Sequence, residues 1–233
     1  MKLQVDIAKN LAEVRGKIAK AAERAGRDPD DVTLVTVTKT RSLGEIEAAI
    51  EAGARDLGEN YVQEMEEKAG ALPAELRWHA IGHLQTNKVR KIAGFVNLVH
   101  SVDSLRLARE IAKRAEAAGR QVGILLQVNL SGEESKSGIE EADQVAELAR
   151  DMADLAHAPL AGLMTMPPWS EDPEDNRRYF RALRELRDRL VDDAVPAEKL
   201  RHLSMGMTGD FEVAVEEGAT LVRVGTAIFG PRQ

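Results

Sequence analysis

Two spacings of apolar residues follow one another along the chain, and together they predict helices that alternate with strands. The first spacing is that of an amphipathic helix, with an apolar residue every three or four positions: Leu3, Ile7, Leu11, Val14 and Ile18. The second is a short, uncharged, largely β-branched run, which is typical of a buried strand. Such runs predict eight strands, over residues 32–38, 55–57, 76–81, 96–102, 122–128, 160–164, 200–203 and 221–224.

Helical spacing fills the intervals between these strands. The predicted helices cover residues 43–52, 61–69, 87–93, 104–118, 140–156, 175–190 and 211–217. Eight strands separated by seven helices predict an α/β fold of the (β/α)8 TIM barrel type, formed as a single domain over residues 1–233 with an extra N-terminal helix. The alternative is an open doubly wound sheet, but no glycine-rich dinucleotide-binding motif follows the first strand.

Composition and charge exclude several classes of function. The chain has 39 acidic and 32 basic residues, a net charge of −7, which disfavours a nucleic-acid-binding protein. It has no cysteine, so disulfides, thiolate catalysis and cysteine-ligated metals are excluded. No apolar stretch approaches the about 20 residues of a membrane span, and the charged N-terminal segment lacks the apolar core of a secretion signal. We therefore expect a cytoplasmic protein with no membrane or nucleic-acid partner.

Lys39 follows one of the most apolar runs of the chain, residues 32–38. An amine at the rim of a hydrophobic core loses solvation, which lowers its pKa and favours the neutral, nucleophilic form that a Schiff base requires. The alternative is a lysine that marks the strand end and extends its ammonium group to water. Taken by itself, this segment favours the structural alternative.

Small hydrogen-bonding residues follow all eight predicted strands, as they do at the carboxyl ends of barrel strands that carry active sites. Among the histidines, His83 lies in such a loop and is the best functional candidate, whereas His79 is interpreted as a hydrogen-bonded core residue. His100 and His202 lie near strand ends, and their roles stay open. No pair of histidines has the spacing of metal ligands, and no nucleophile motif is present.

The junctions after strands seven and eight carry more specific chemistry. Gly225 and Thr226 precede a short apolar turn, and in many barrels this position binds phosphate through backbone N–H groups. Ser204 and Thr226 add two hydroxyl donors; the alternative is an ordinary turn into a terminal helix. Arg223 interrupts the apolar strand eight, so it requires either an internal carboxylate or a ligand at the barrel mouth. Barrel closure places its strand beside that of Lys39.

Motifs along most of the chain identify a family. They are Thr38-Lys39-Thr40 and the segments 58–64, 78–88, 100–103, 136–138, 162–167, 203–208 and 222–230. In these motifs and their order the chain resembles the pyridoxal 5′-phosphate homeostasis proteins, whose fold is related to the barrel domain of alanine racemase. Small departures occur at Thr38, Thr208 and Gly209, and none affects the lysine or the arginine.

The resemblance implies a binding site for pyridoxal 5′-phosphate. It implies that Lys39 forms the internal aldimine and that Ser204, Gly225 and Thr226 hold the phosphate. It places Arg223 against the pyridine nitrogen, where a guanidinium keeps that nitrogen unprotonated and weakens the cofactor as an electron sink. Asn60 near the ring, together with Met205 and Gly206, completes the cofactor-binding set that the resemblance implies.

The resemblance also implies a carrier without substantial catalysis, which maintains the cellular supply of the cofactor and passes it to apo-enzymes. Racemases of this barrel type add a β-rich domain and a tyrosine acid/base, whereas Tyr61 and Tyr179 are the two tyrosines here and neither is an obvious second base. Because no second, β-rich domain is predicted here, a monomer is expected. The alternatives are a low-activity amino-acid racemase with Lys39 as its single base and a cofactor-free Schiff-base aldolase. A second cofactor site at Lys88 or Lys136 stays open.

Overall fold

The first strand of the chain pairs in parallel with the last, from Thr33 opposite Leu221 to Thr36 opposite Val224, and this pairing closes the sheet into a barrel. The computed structural model describes residues 5–132, 138–193 and 195–231. The strands follow one another around the barrel in sequence order: β1 (Thr33–Val37), β2 (Asp56–Glu59), β3 (Arg77–Ala80), β4 (Val96–Val102), β5 (Gly123–Gln127), β6 (Leu160–Met164), β7 (His202–Ser204) and β8 (Leu221–Val224).

Helices connect the strands and cover the outside of the barrel. They are α1 (Ile7–Arg24), α2 (Leu43–Glu51), α3 (Val62–Ala71), α4 (Val89–Ile92), α5 (Leu105–Ala117), α6 (Ala142–Met152), α7 (Arg177–Asp192), α8 (Phe211–Glu216) and α9 (Thr226–Phe229). The predicted (β/α)8 barrel with an extra N-terminal helix is therefore confirmed. No helix in the described part of the chain is long and apolar enough to cross a membrane.

The extra helix α1 is held to the barrel by its apolar stripe. The side chains of Ile7, Leu11, Val14 and Ile18 are all buried, and the helix packs mainly against α8, α9 and α2. At roughly 1.5–3 kcal/mol for each buried aliphatic side chain, this face fixes the helix in place. The predicted stripe is thus confirmed from Ile7 onward, while Leu3 lies outside the described residues.

The barrel interior combines an apolar layer with polar side chains. Val35, Leu98, Leu125, Met164 and Leu221 pack together as a small cluster, separate from the larger core between strands and helices. Side chains two positions apart on a strand share a face, so His100 on β4 and Arg223 on β8 also point inward. The interior is therefore packed, with functional groups toward the carboxyl ends of the strands.

Several element boundaries differ from the sequence-based expectation by one to four residues, and two of these differences concern strands that carry or directly precede predicted site residues. Residues 58 and 59 were expected in a loop, but β2 extends through Glu59 because Gly58 pairs with Val37 on one side and with His79 on the other. Strand β7 begins at His202, since Leu200 ends a short 3₁₀ turn that precedes it. Both differences arise from pairing with neighbouring strands, which a local pattern does not contain.

Candidate functional site

A cavity of about 720 Å3 opens at the carboxyl ends of the barrel strands. Five of the eight residues in the predicted cofactor-binding set line it together, namely Lys39, Asn60, Arg223, Gly225 and Thr226. They come from the ends of β1, β2 and β8, which are neighbours in the barrel. Parallel pairing brings their carboxyl ends to one rim, so residues far apart in sequence share one site.

The other three predicted residues lie below the cavity and do not line it. Ser204, Met205 and Gly206 are buried. The Ser204 hydroxyl lies 2.5 Å from Nη1 of Arg223, and the Gly206 carbonyl accepts a hydrogen bond of 3.0 Å from the Arg223 amide. In the structure Ser204 and Gly206 support Arg223, whereas the Met205 amide donates to the Leu221 carbonyl. The contacts with a ligand that the sequence suggested for these three residues stay predictions.

Lys39 lies in a constrained turn directly after β1. The next residue, Thr40, has φ +63°, a left-handed conformation that is uncommon outside glycine. The Thr40 amide donates to Oε2 of Glu64 at 2.8 Å, and the Thr38 carbonyl accepts from Nζ of Lys68 at 2.8 Å. Both peptide groups that flank Lys39 are therefore fixed by side chains of α3.

A buried ion cluster supplies these contacts. Nζ of Lys68 lies 2.6 Å from Oε1 of Glu59 and 2.9 Å from Oε2 of Glu64. Burial raises the pKa of Glu59, although hydrogen bonds from Lys68 and from the Thr38 hydroxyl oppose the shift. The second oxygen of Glu59 is buried and has no hydrogen-bond partner among the residues that the structure describes. This cluster joins β2 to α3 directly beneath the turn of Lys39.

Arg223 is the buried cation of the site, with 6% of its surface exposed. It donates to the Ser204 hydroxyl and, over 3.0 Å, to the Thr165 carbonyl. Burial lowers its pKa to about 10, with Asp210 acting in the opposite direction, so it stays charged at neutral pH. Among the described residues no carboxylate lies within ion-pair distance of it. The internal carboxylate that the sequence allowed is therefore not found there, and the guanidinium borders the cavity with neutral partners.

A chain of buried polar groups continues from Arg223 through the barrel. Nδ1 of His100 lies 2.8 Å from the Ser204 hydroxyl, and Nε2 of His100 lies 2.9 Å from Nδ1 of His79. Nε2 of His79 in turn lies 3.0 Å from Oδ1 of Asp56. Burial, then His79 and Arg223, lower the pKa of His100 well below its ordinary value. The interpretation of His79 as a hydrogen-bonded core residue agrees with these contacts.

Several cavity residues were not selected from the sequence. Thr208 and Asp210 follow β7, and Trp169 follows β6 with 83% of its surface exposed. An exposed tryptophan directly after the Met166-Pro167-Pro168 segment was the signal that could have identified this wall. His83, the preferred histidine, does line the cavity.

The two candidate lysines for a second site lie elsewhere. Lys88 borders a separate surface depression with Asn87, Arg90, Lys91 and Arg114, whereas Lys136 lies outside the described residues. The open question of a second cofactor site is therefore not decided at either position.

Comparisons with known proteins place the chain among close relatives. The family model for the alanine racemase N-terminal domain matches residues 10–233. The pyridoxal phosphate homeostasis protein of Aquifex aeolicus (strain VF5) is 46% identical over 98% of this chain and 100% of its own length. The protein of the same name from Escherichia coli (strain K12) is 42% identical over 97% of both chains.

Solved structures give the same result in three dimensions. A protein of unknown function from Bifidobacterium adolescentis is 43% identical with a TM-score of 0.88, over 96% of this chain and 94% of its own. PipY of Synechococcus elongatus PCC7942, solved with pyridoxal phosphate bound, is 34% identical with a TM-score of 0.84, over 96% and 100% of the two chains. Alanine racemase from Streptomyces coelicolor A3(2), at 18% identity and a TM-score of 0.72, shares the fold.

Proposed function

Because the chain belongs to the pyridoxal phosphate homeostasis proteins of the alanine racemase N-terminal domain family, we propose that it binds pyridoxal 5′-phosphate at Lys39 and maintains the cellular supply of this cofactor without substantial catalysis. The observation that carries the proposal is the pair of Lys39 and Arg223, which line one cavity from the adjacent strands β1 and β8. An amine and a buried guanidinium that has no carboxylate partner in the described part of the chain suit an aldehyde that carries a phosphate and a basic ring nitrogen.

The residues around the cavity fit the groups of this cofactor. Thr226 supplies a hydroxyl, and Gly225 keeps the backbone open. A Cβ added at Gly225 would lie 3.1 Å from the Val37 carbonyl oxygen, so this turn passes close to β1. When bound, the cofactor supplies the aldehyde with which the Lys39 amine condenses, releasing water. The lysine therefore binds and releases the cofactor reversibly.

Arg223 limits what the bound cofactor does. A guanidinium donates hydrogen bonds and accepts none, so beside the ring nitrogen of a bound cofactor it would leave that nitrogen without a proton. An unprotonated ring withdraws electrons weakly from a neighbouring carbon. Tyr61 is exposed and Tyr179 stacks against Arg178, and neither tyrosine lines the cavity. The weak electron withdrawal and the position of both tyrosines support a carrier.

The alternative, an amino-acid racemase of low activity, has one observation in its favour. His83 lines the same cavity as Lys39 and offers a second group that can transfer a proton. Exchange of the α-hydrogen of amino acids in deuterated water distinguishes the two. Exchange at the rate of dedicated racemases, abolished by His83→Gln, would replace the carrier proposal with the racemase.

Absorbance of the purified protein tests the proposed site. After addition of pyridoxal 5′-phosphate and removal of the unbound cofactor by gel filtration, the wild type should be yellow. Borohydride should remove the colour and attach the reduced cofactor to Lys39, as read by peptide mass spectrometry. Lys39→Ala should stay colourless. Lys88→Ala, which alters a lysine of the separate depression, is the matched control and should behave as the wild type. A wild type that stays colourless favours the cofactor-free aldolase.

Delivery of the cofactor to apo-enzymes, action as a monomer and a cytoplasmic location also belong to this proposal. Transfer is measured as recovery of activity in a cofactor-free enzyme mixed with the loaded protein. The control is an equal concentration of free cofactor, and both reactions contain the same trapping amine. Recovery no faster than in the control would show that the protein only buffers the free cofactor.

A further inference from the structure

The barrel interior holds a continuous line of polar side chains. It begins at Arg223, which borders the cavity, and crosses the interior to Asp56 on β2. The contacts run from Arg223 through Ser204, His100 and His79 to Asp56, and each is 3.0 Å or shorter. These residues come from β8, β7, β4, β3 and β2. We propose that the line is a one-directional hydrogen-bond chain in which every proton points toward Asp56, and that His79 and His100 are positioning residues for the Arg223 guanidinium.

The two ends of the chain fix its direction. Arg223 has only donors, so the Ser204 oxygen must accept from it. At the other end, burial alone would raise the pKa of Asp56, but hydrogen bonds from His79 and Arg77 outweigh it and lower the pKa to about 2. Asp56 is therefore an ionised acceptor at neutral pH, and Nε2 of His79 must carry a proton.

The remaining protons then follow one by one. In a neutral His79 ring, Nδ1 is an acceptor, so Nε2–H of His100 donates to it. Nδ1 of His100 is then the acceptor for the Ser204 hydroxyl hydrogen. The three inner groups, Ser204, His100 and His79, each donate once toward Asp56 and accept once from the side of Arg223. Such chains polarise each bond in turn, and the whole line strengthens cooperatively.

A doubly protonated His79 is the competing arrangement. It would donate through Nδ1 to His100 and force Nδ1–H of His100 to donate to Ser204. The Ser204 hydroxyl hydrogen would then have no acceptor in the part of the chain that the structure describes. A second cation would also lie in the interior that already holds Arg223.

The hydrogen-bond chain joins Arg223 to an anion. Among the described residues no carboxylate lies within ion-pair distance of the guanidinium. Asp210 acts on it through charge without a hydrogen bond, and Asp56 accepts the last hydrogen bond of the line. Directional bonding also fixes the plane of the guanidinium group, whose donors have a rigid geometry. Because the inference rests on the proposed function, it makes Asp56, His79, His100 and Ser204 determinants of how tightly the cofactor ring is held.

Nitrogen-15 NMR of the cofactor-free wild type tests the chain directly. Long-range correlations of the imidazole rings distinguish the two neutral tautomers from the imidazolium ion. Between about pH 6 and pH 8, where an ordinary histidine titrates, we expect both His79 and His100 as neutral Nε2–H tautomers. A proton on Nδ1 of either ring would overturn the proposal, and this measurement requires no bound cofactor.

Variants then test the positioning role. In His100→Phe we expect the affinity for pyridoxal 5′-phosphate to fall about tenfold or more, as for the loss of other supporting hydrogen bonds, with partial recovery in His100→Gln. His202→Phe is the matched control. His202 lies half-buried on β7, is not part of the hydrogen-bond chain, and contacts Thr220. Equal affinity in His100→Phe and His202→Phe would overturn the positioning role.

The outcomes separate this inference from the proposed function. A wild type that binds no cofactor refutes the proposed function, whatever the NMR tautomers show. A wild type that turns yellow while its histidines show the other tautomer refutes the hydrogen-bond chain and leaves the proposed function intact. If His100→Phe does not fold, His79→Gln replaces it, with circular dichroism as the check that the barrel is intact.

Discussion

Nζ of Lys68 lies 2.8 Å from the carbonyl oxygen of Thr38, the residue that directly precedes Lys39. The same ammonium group binds Glu59 and Glu64, and Glu64 accepts the amide of Thr40 on the other side of Lys39. One buried cation thus organises both peptide groups around the proposed cofactor lysine. Its removal should therefore affect stability and the site together.

The first prediction concerns Lys68→Met. The substitution leaves Glu59 buried without its cation, and breaking a buried ion pair in this way costs roughly 3–5 kcal/mol in the free energy of unfolding. Lys91→Met is the matched control, because Lys91 forms an exposed pair with Glu66 at 2.8 Å, worth at most about 1 kcal/mol. Urea denaturation measures both. Equal losses in the two variants would contradict the importance of the buried cluster.

Gly206→Ala is expected to destabilise the protein in the absence of any cofactor. Gly206 has φ +91°, and an added Cβ would lie 2.6 Å from Cβ of Ala214 and 2.9 Å from Cα of Phe211. Left-handed strain and overpacking together should cost about 2–4 kcal/mol, read from thermal unfolding of the cofactor-free protein.

The control for this prediction is Gly16→Ala in α1, where no atom lies within 4 Å of the new methyl group. Alanine in a helix should there raise stability by roughly 0.5–1 kcal/mol. A Gly206→Ala variant of unchanged stability but reduced cofactor binding would instead assign this glycine to direct contact with the cofactor.

Stability should depend on pH through Asp56. Its folded-state pKa of about 2 lies below the ordinary value of 3.8, so the ionised carboxylate stabilises the folded state above about pH 4. The contribution, on the order of 1–2 kcal/mol, is lost as the pH falls through about 2. Wild type and Asp56→Asn should therefore differ in free energy of unfolding at pH 6 and converge toward pH 2. A constant difference would refute the lowered pKa.

Trp169 should report entry of the cofactor. It lines the cavity with 83% of its surface exposed, whereas the other tryptophan, Trp78, is buried on β3. A ligand that fills the cavity covers its walls, so bound cofactor should reduce iodide quenching of the fluorescence roughly twofold. Trp169→Phe should remove the response while leaving the yellow colour. A response that persists in Trp169→Phe would place the cofactor nearer to Trp78.

The sequence predicted the neighbouring positions of Lys39 and Arg223 correctly, for a physical reason. Eight buried strands joined by helices close in one manner, so the first and last strands become neighbours without knowledge of any side-chain contact. The apolar run before Lys39 and the charged Arg223 inside β8 then identified two residues that line the same cavity. This reasoning needs only strand order and the direction of each strand.

The line from Arg223 to Asp56 could not be predicted in the same way. Its members lie on five strands, and their contact depends on the stagger between strands, which includes register shifts between Trp78 and His79 and between Val99 and Val102. A spacing pattern does not contain these shifts. For this reason His100 stayed without a role, and Ser204 was expected at the rim although it lies beneath it.

Closure of the barrel through β1 and β8 also determines when the site can exist during synthesis. The turn of Lys39 leaves the ribosome early, but its cavity requires Arg223 and Gly225, which are made with the final strand. Contacts between such distant segments form late in folding and slowly. A nascent chain therefore displays the amine without the pocket, and the cofactor should associate with the protein only after β8 has been made and has paired with β1.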